Sequence, residues 1–167
     1  KVFLSPEMKS TGEVIGFDQH LGSAYAKAEM GAGNKLPHKG SIFISVNDSD
    51  KREIIKIARD FSETGFKIIA TKGTANLLNN NGINSKHIFK VGEGRPHVGD
   101  AIKNNKIHLI INTPLGEQSR YDEYSIGQVA IQYKIPVITT MSGAQAALRA
   151  IRIKNKNLKY LSLQEIF

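Results

Sequence analysis

The chain has 167 residues, 40% of them hydrophobic and 23% charged, which suits one full domain with a sizeable core and a short appendage. No apolar run approaches the ~20 residues that span a bilayer, and the absence of cysteine excludes disulfides and thiolate metal sites and fits a reducing cytoplasm. Lysine and arginine exceed the acids by eight (23 minus 15), which favours anionic partners, but no basic stretch alternates with aromatics as a single-strand nucleic-acid platform would.

The chain opens at Lys1, which points to a piece of something longer. Ser10-Thr11-Gly12-Glu13-Val14-Ile15-Gly16 is turn-rich, and a helix is expected over about residues 20–30, where Leu21, Ala24, Tyr25 and Ala28 share a face. Gly31-Ala32-Gly33-Asn34-Lys35-Leu36-Pro37 then reads as a linker. A boundary near His38 divides the chain into residues 1–39 and 40–167.

From Gly40 the pattern alternates. Ser41–Val46 is strand-like, and Asp48 or Ser49 can cap a helix that runs to about Thr64 and stops at Gly65. Phe66–Ala70 is a second strand, followed by a helix from Thr74 to about Asn80. His87–Val91 is a candidate short strand before the loop Gly92-Glu93-Gly94-Arg95-Pro96, and a helix is expected near Val98–Asn104. Ile107–Ile111 is strongly apolar, residues 122–133 read as helix, Val137–Thr140 as strand and Ala144–Ile153 as the last long helix. Lys159–Leu163 is expected to be extended. Short apolar strands alternating with amphipathic helices predict an α/β fold: a three-layer, doubly wound, mostly parallel sheet.

Thr71-Lys72-Gly73-Thr74 carries the clearest chemistry. A strand runs directly into a helix here, and the first amides of a helix lack internal partners and sit at the positive end of its dipole. Gly73 lets an anion approach the backbone, Thr71 and Thr74 add hydroxyls, and Lys72 adds charge. Two readings stand, a phosphate cradle and an ordinary turn capped by Thr74. The spacing is not that of a P-loop.

Ligands of open parallel sheets sit beyond the carboxyl ends of the strands. Those ends hold Ser45 and Asn47 with Lys51 close behind, then Thr71 to Thr74, Lys90, Asn112 with Thr113, and Thr139 with Thr140. Hydroxyls, amides and ammonium groups on one rim suit a phosphorylated ligand, although Ser, Thr and Asn are also common in caps and turns. No nucleophile–base pair stands out. His97 beside Arg95 is the best histidine candidate, either for acid–base work or for an anion. His20, His38, His87 and His108 share no metal-ligand spacing, and Asp100 and Asp122 read as solvated helix carboxylates. Neither catalytic nor metal-ligating residues are assigned.

Residues 41–152 resemble the methylglyoxal-synthase-like domain that closes the large subunit of carbamoyl-phosphate synthetase. The resemblance rests on Ala70-Thr71-Lys72-Gly73-Thr74-Ala75, Lys90-Val91, Glu93-Gly94-Arg95-Pro96-His97 and Ile110-Ile111-Asn112-Thr113. Upstream, Pro6-Glu7-Met8-Lys9-Ser10-Thr11-Gly12-Glu13-Val14 is similar to the end of the second ATP-grasp half of that subunit. The resemblance implies a non-catalytic, regulatory piece of a cytoplasmic, glutamine-hydrolysing synthetase that makes carbamoyl phosphate for arginine and pyrimidine biosynthesis. ATP with Mg or Mn would belong to the parent's synthetic half, and no cofactor to this stretch. Its partners would be a phosphorylated effector (a UMP- or IMP-like nucleotide, or phosphate), the rest of the large subunit and a glutaminase small subunit, in an oligomer. Carried over by position, Ser45, Lys51, Thr71, Thr74, Lys90 and Asn112 would contact the effector, with Thr71, Thr74 and Lys90 on its phosphate. Gly73 and Thr113 complete the set, Lys72 and Arg95 are secondary candidates, and Thr139 falls in the ornithine-responsive part of the domain.

Several nucleotide-regulated members carry a second threonine after Asn-Thr, with basic residues shortly after. Here Pro114 and Glu117-Gln118 stand there. Proline removes a donor and Glu117 repels a phosphate, so weak binding, a different ligand and a docking domain without an effector all stay open. A free-standing methylglyoxal synthase is the competing reading. It requires a carboxylate base where Arg95 stands and a histidine near Ser119–Asp122, and an arginine does not abstract a proton at neutral pH.

Overall fold

Ser41–Ser45 forms strand β1, of which Ile42, Phe43, Ile44 and Ser45 are all buried. A near-continuous apolar run is what a strand covered on both faces requires. The structure, a computed structural model, describes residues 14–113, 120–153, 158–160 and 162–166, without the side chains of 120–123, 163 and 166. The motif ahead of Val14, Pro114, Glu117-Gln118 and the side chain of Asp122 lie outside the described residues.

Helix α1 (Leu21–Gly31) precedes β1; α2 (Lys51–Glu63), β2 (Lys67–Ala70), α3 (Lys72–Asn80) and β3 (Ser85–His87) follow it. The chain continues through α4 (Val98–Lys103), β4 (Leu109–Asn112), α5 (Arg120–Gln132), β5 (Val137–Ile138), α6 (Met141–Arg152) and α7 (Leu163–Ile166). All pairings are parallel, in the order β3-β2-β1-β4-β5. The chain leaves β1 towards β2 and returns on the other side as β4, so a topological switch point lies between the carboxyl ends of β1 and β4.

Strand alternation divides the core. Ile42 and Ile44 of β1, with Leu109 and Ile111 of β4, pack against Ile54, Ile57, Ala58 and Phe61 of α2, Ala75 and Leu78 of α3, and Ala144, Ala147 and Leu148 of α6. Phe43 and Ile110 point the other way, onto Val98, Ala101 and Ile102 of α4 and Ile126 and Ala130 of α5. The three layers expected from the sequence are therefore present.

Helix α1 packs on α6 through a small cluster of Ala26, Ala150 and Leu158. It does so although it lies ahead of the expected boundary near His38. A cavity of ≈ 350 Å³ beside it is lined by Met30, Leu36 and Ala150 together with Glu29, Lys35 and His38.

Several element ends differ from the sequence expectation, each for a local reason. Helix α3 begins at Lys72, not Thr74, because extended Thr71 (φ −64°, ψ 157°) takes the cap position and its carbonyl accepts from the Ala75 amide at 2.7 Å. Strand β3 is Ser85–His87 rather than His87–Val91. The Asn79 side chain accepts from the Ser85 amide at 2.8 Å and donates to the Ser85 carbonyl at 3.1 Å, so a polar clamp fixes this edge strand. Helix α6 begins at Met141 because the Thr140 hydroxyl accepts from the Gly143 amide at 3.1 Å. The piece expected to be extended over Lys159–Leu163 contains no strand among its described residues, and α7 starts at Leu163. His108, half-buried, accepts the Ser41 amide hydrogen through Nδ1 at 3.1 Å and ties the approaches to β4 and β1 together.

Candidate functional site

Buried polar side chains are costly unless satisfied, so their positions are informative. Among the described residues they are Ser23, Ser45, Thr71, Thr74, Ser85, Asn112 and Thr113. Ser23 belongs to α1 and Ser85 to the β3 clamp. The rest all stand at the carboxyl ends of β1, β2 and β4, where the sequence placed the ligand.

Adjacent strands draw these residues together. Ser45 and Asn112 are register partners across β1 and β4, and alternation puts them on the α4/α5 face, beyond Phe43 and Ile110. The Thr113 amide donates to the Ser45 carbonyl at 3.0 Å, and the Thr113 hydroxyl accepts from the Asn47 amide at 3.1 Å. On the other side of β1, the Thr71 amide donates to the Ile44 carbonyl at 3.3 Å. The Ser45 hydroxyl and the Asn112 carboxamide have no protein partner among the described residues, and no fully buried side-chain nitrogen or oxygen there lacks one. Their polar tips therefore reach solvent although the residues are buried.

Helix α3 supplies the second half of the site. No side chain caps it, and its first internal hydrogen bond is made by Ala75. The amides of Lys72, Gly73 and Thr74 consequently have no protein acceptor among the described residues, and they lie at the positive end of the helix. A methyl placed on Gly73 would meet nothing within 4 Å, so the space beside its Cα is open. The Thr71 and Thr74 hydroxyls are 3.4 Å apart, the weak limit of a hydrogen bond, which leaves both with capacity for another partner.

The basic candidates are arranged less uniformly. Lys51 Nζ is paired with Asp48 Oδ1 at 2.6 Å, and that hydrogen bond holds the exposed Asp48 carboxyl below its usual range. An anion must compete with Asp48 for this lysine. Lys90 lies beyond β3, with its amide donating to Glu93 Oε2 at 2.9 Å. Lys72 and Arg95 are exposed, as is Thr139 at the end of β5.

His97 has a structural task that the sequence reading missed. Its Nδ1 accepts the Asp100 amide hydrogen at 3.2 Å while the His97 amide donates to Asp100 Oδ2 at 3.1 Å, a reciprocal cap on α4. The His97 amide, and to a lesser degree the charges of Arg95 and Lys103, holds Asp100 below the usual carboxylate range. The His-x-x-Asp spacing ahead of an apolar run was the available signal. Asn47 was also underestimated: its side chain accepts from the Asp50 amide at 2.9 Å and from the Ser49 hydroxyl at 2.7 Å, shaping the turn into α2. Among the described residues no group of three or more His, Asp or Glu could hold a metal ion, and no helix is long and apolar enough to cross a membrane.

Known proteins place this geometry in context. The chain is 50% identical over 163 residues to the carbamoyl phosphate synthase large chain of Nostoc sp. strain PCC 7120, covering 97% of this chain and 15% of the relative. It is 48% identical over 170 residues to the carbamoyl phosphate synthase large chain, C-terminal section, of Aquifex aeolicus, covering 98% of this chain and 32% of that one. The chain thus spans a third or less of the length of these relatives. A crystal structure of methylglyoxal synthase from Elizabethkingia anophelis matches with a TM-score of 0.56 at 16% identity, over 68% of this chain and 79% of that one, a likeness of fold alone. Residues 53–139, which run from α2 to the end of β5 and include most of the strand-end constellation, match the MGS-like domain, and the chain belongs to that family.

Proposed function

We propose that the chain is the regulatory domain of a carbamoyl-phosphate synthase large chain, binding a phosphorylated effector at the carboxyl edge of its sheet. The observation that carries the reading is the uncapped start of α3 beside the buried hydroxyl and amide set of Ser45, Thr71, Thr74, Asn112 and Thr113. In this reading the amides of Gly73 and Thr74 and the hydroxyls of Thr71 and Thr74 hold the phosphate, and Lys90 adds charge. Ser45 and Asn112 meet the polar edge of a nucleoside such as that of UMP or IMP. Each hydrogen bond to an ionised phosphate contributes about 1.5–3 kcal/mol.

The parent enzyme would be cytoplasmic and serve arginine and pyrimidine biosynthesis. It would use ATP with Mg or Mn in the part that this chain does not span, and work with a glutaminase small subunit in an oligomer. Calorimetric titration of the chain with UMP, IMP and inorganic phosphate tests the effector site. Saturable binding of at least one of them below millimolar concentration is expected; no heat from any of them rejects the site.

A second reading, a docking domain without an effector, is favoured by one observation: Lys51 is already neutralised by Asp48. A parent enzyme whose activity ignores nucleotides and ornithine alike would select this reading.

A further inference from the structure

We propose that the reciprocal cap between His97 and Asp100 is a brace that sets the position of Lys90, and so acts on effector affinity without touching the effector. The proposal rests on the phosphate reading above. Lys90 stands two residues beyond Ile88, whose amide donates to the Ala70 carbonyl at 3.0 Å, the last such link between β2 and the chain leaving β3. Ala70 is followed at once by Thr71. The path of residues 89 and 90 therefore decides whether the Lys90 ammonium reaches the amino end of α3.

Residues 88–97 contain no helix and no named strand. Within the segment, the Lys90 amide is held by the Glu93 carboxylate alone among the described residues, and the Glu93 amide donates back to the Lys90 carbonyl at 3.3 Å. The link that fixes the segment as a whole is at its return end. The Val98 amide donates to the Phe89 carbonyl at 2.9 Å, and Phe89 forms an isolated bridge with His97. Phe89, the direct neighbour of Lys90, is thus tied to the first residues of α4, and the direction of those residues is set by the His97–Asp100 cap.

The cap residue itself is unusual. Serine, threonine, aspartate and asparagine are the ordinary helix caps, and any of them would satisfy the Asp100 amide. Histidine adds a flat ring, and that ring lies over Gly99. A methyl on Gly99 would stand 3.1 Å from His97 Cε1, tighter than ordinary contact. The ring is mostly buried, with 17% of the side chain exposed. The two hydrogen bonds with Asp100 fix the backbone at His97, to which Phe89 is tied through its bridge and the Val98 amide; the ring fills space over Gly99 beside them.

If the competent position of Lys90 is only fractionally populated, the apparent affinity falls by that fraction. His97→Ala, His97→Asn and Thr74→Ala in the full chain, each titrated with UMP and with inorganic phosphate, test the brace. His97→Ala is expected to weaken binding about three- to tenfold. His97→Asn, whose amide oxygen accepts the same Asp100 hydrogen, is expected to stay within about twofold of the unaltered chain. Hydrogen exchange at the Asp100 amide should quicken in the alanine variant and not in the asparagine one. Unchanged affinity in His97→Ala with a loss in Thr74→Ala would keep the phosphate site and overturn the brace. Equal losses in alanine and asparagine variants would also overturn it, because the imidazole would then act by contact and not by capping. Absence of binding by the unaltered chain would remove the reading beneath both. Should His97→Ala fail to fold, Asp100→Ala against Asp100→Asn poses the same comparison from the other side of the cap.

Discussion

Thr74→Ala is expected to weaken UMP or phosphate binding by about 1–3 kcal/mol, roughly 5- to 150-fold in dissociation constant, while lowering stability by about 1 kcal/mol through the buried methyl lost with the hydroxyl. The residue is 2% exposed, so a structural role is the natural rival explanation. Among the described residues, however, its hydroxyl has one protein partner, Thr71 Oγ1 at 3.4 Å, and that distance marks a weak bond. Removing the hydroxyl therefore costs folding little. Its cost to binding is larger, because the hydroxyl stands beside amides with no acceptor and its lost partner would be an ionised phosphate. Calorimetry of the variant beside the unaltered chain, with a urea titration of each, separates the two effects. An unchanged dissociation constant would show that the start of α3 is only a turn.

Phe43→Ala is expected to lower stability by about 3–5 kcal/mol, a large part of the ~5–15 kcal/mol that holds a domain together. Phe43 is fully buried on the central strand, paired in register with Ile69 and Ile110 and packed among Val98, Ile102, Ile107 and Ile126. Neighbours fixed by the hydrogen bonds of β2 and β4 cannot close over the lost ring, so the cavity term adds to the lost transfer term. The urea midpoint should fall with an unchanged slope. A loss below about 1 kcal/mol would mean that this face of the sheet is not packed as described. Ile131→Ala is the control: at 78% exposure its change should stay within about 0.5 kcal/mol.

The layered fold was legible because β1 and β4 carry unbroken apolar runs, Ile42–Ile44 and Leu109–Ile111, while α2 shows its apolar stripe at Ile54, Ile57, Ala58 and Phe61. Periodicity reports burial, and burial is what the two faces of the sheet impose. β3 was placed two residues too late because its pairing depends on the Asn79 clamp and not on apolar content. Hydrogen bonds from a side chain several residues upstream leave no periodic trace.

The rim of Ser45, Thr71, Thr74, Asn112 and Thr113 was legible because each follows an apolar strand, and a parallel sheet brings all such ends to one edge. Burial of these residues is a fact of packing that the sequence did not contain. The roles of His97 and Asp100 were misjudged for the opposite reason. Both are residue types associated with chemistry or solvent, and histidine is not among the ordinary cap residues, so the His-x-x-Asp spacing was passed over. Lys51 was assigned to the ligand without regard to Asp48, three residues away on the turn into α2, whose carboxylate reaches it first.

A structure of the chain solved with UMP or inorganic phosphate is the most direct test of an effector site built on the amino end of α3. The account predicts the phosphate against the amides of Gly73 and Thr74, within hydrogen-bond reach of the Thr71 and Thr74 hydroxyls and with the Lys90 ammonium turned towards it. A phosphate bound elsewhere on the sheet edge, or none at millimolar concentration, would contradict it.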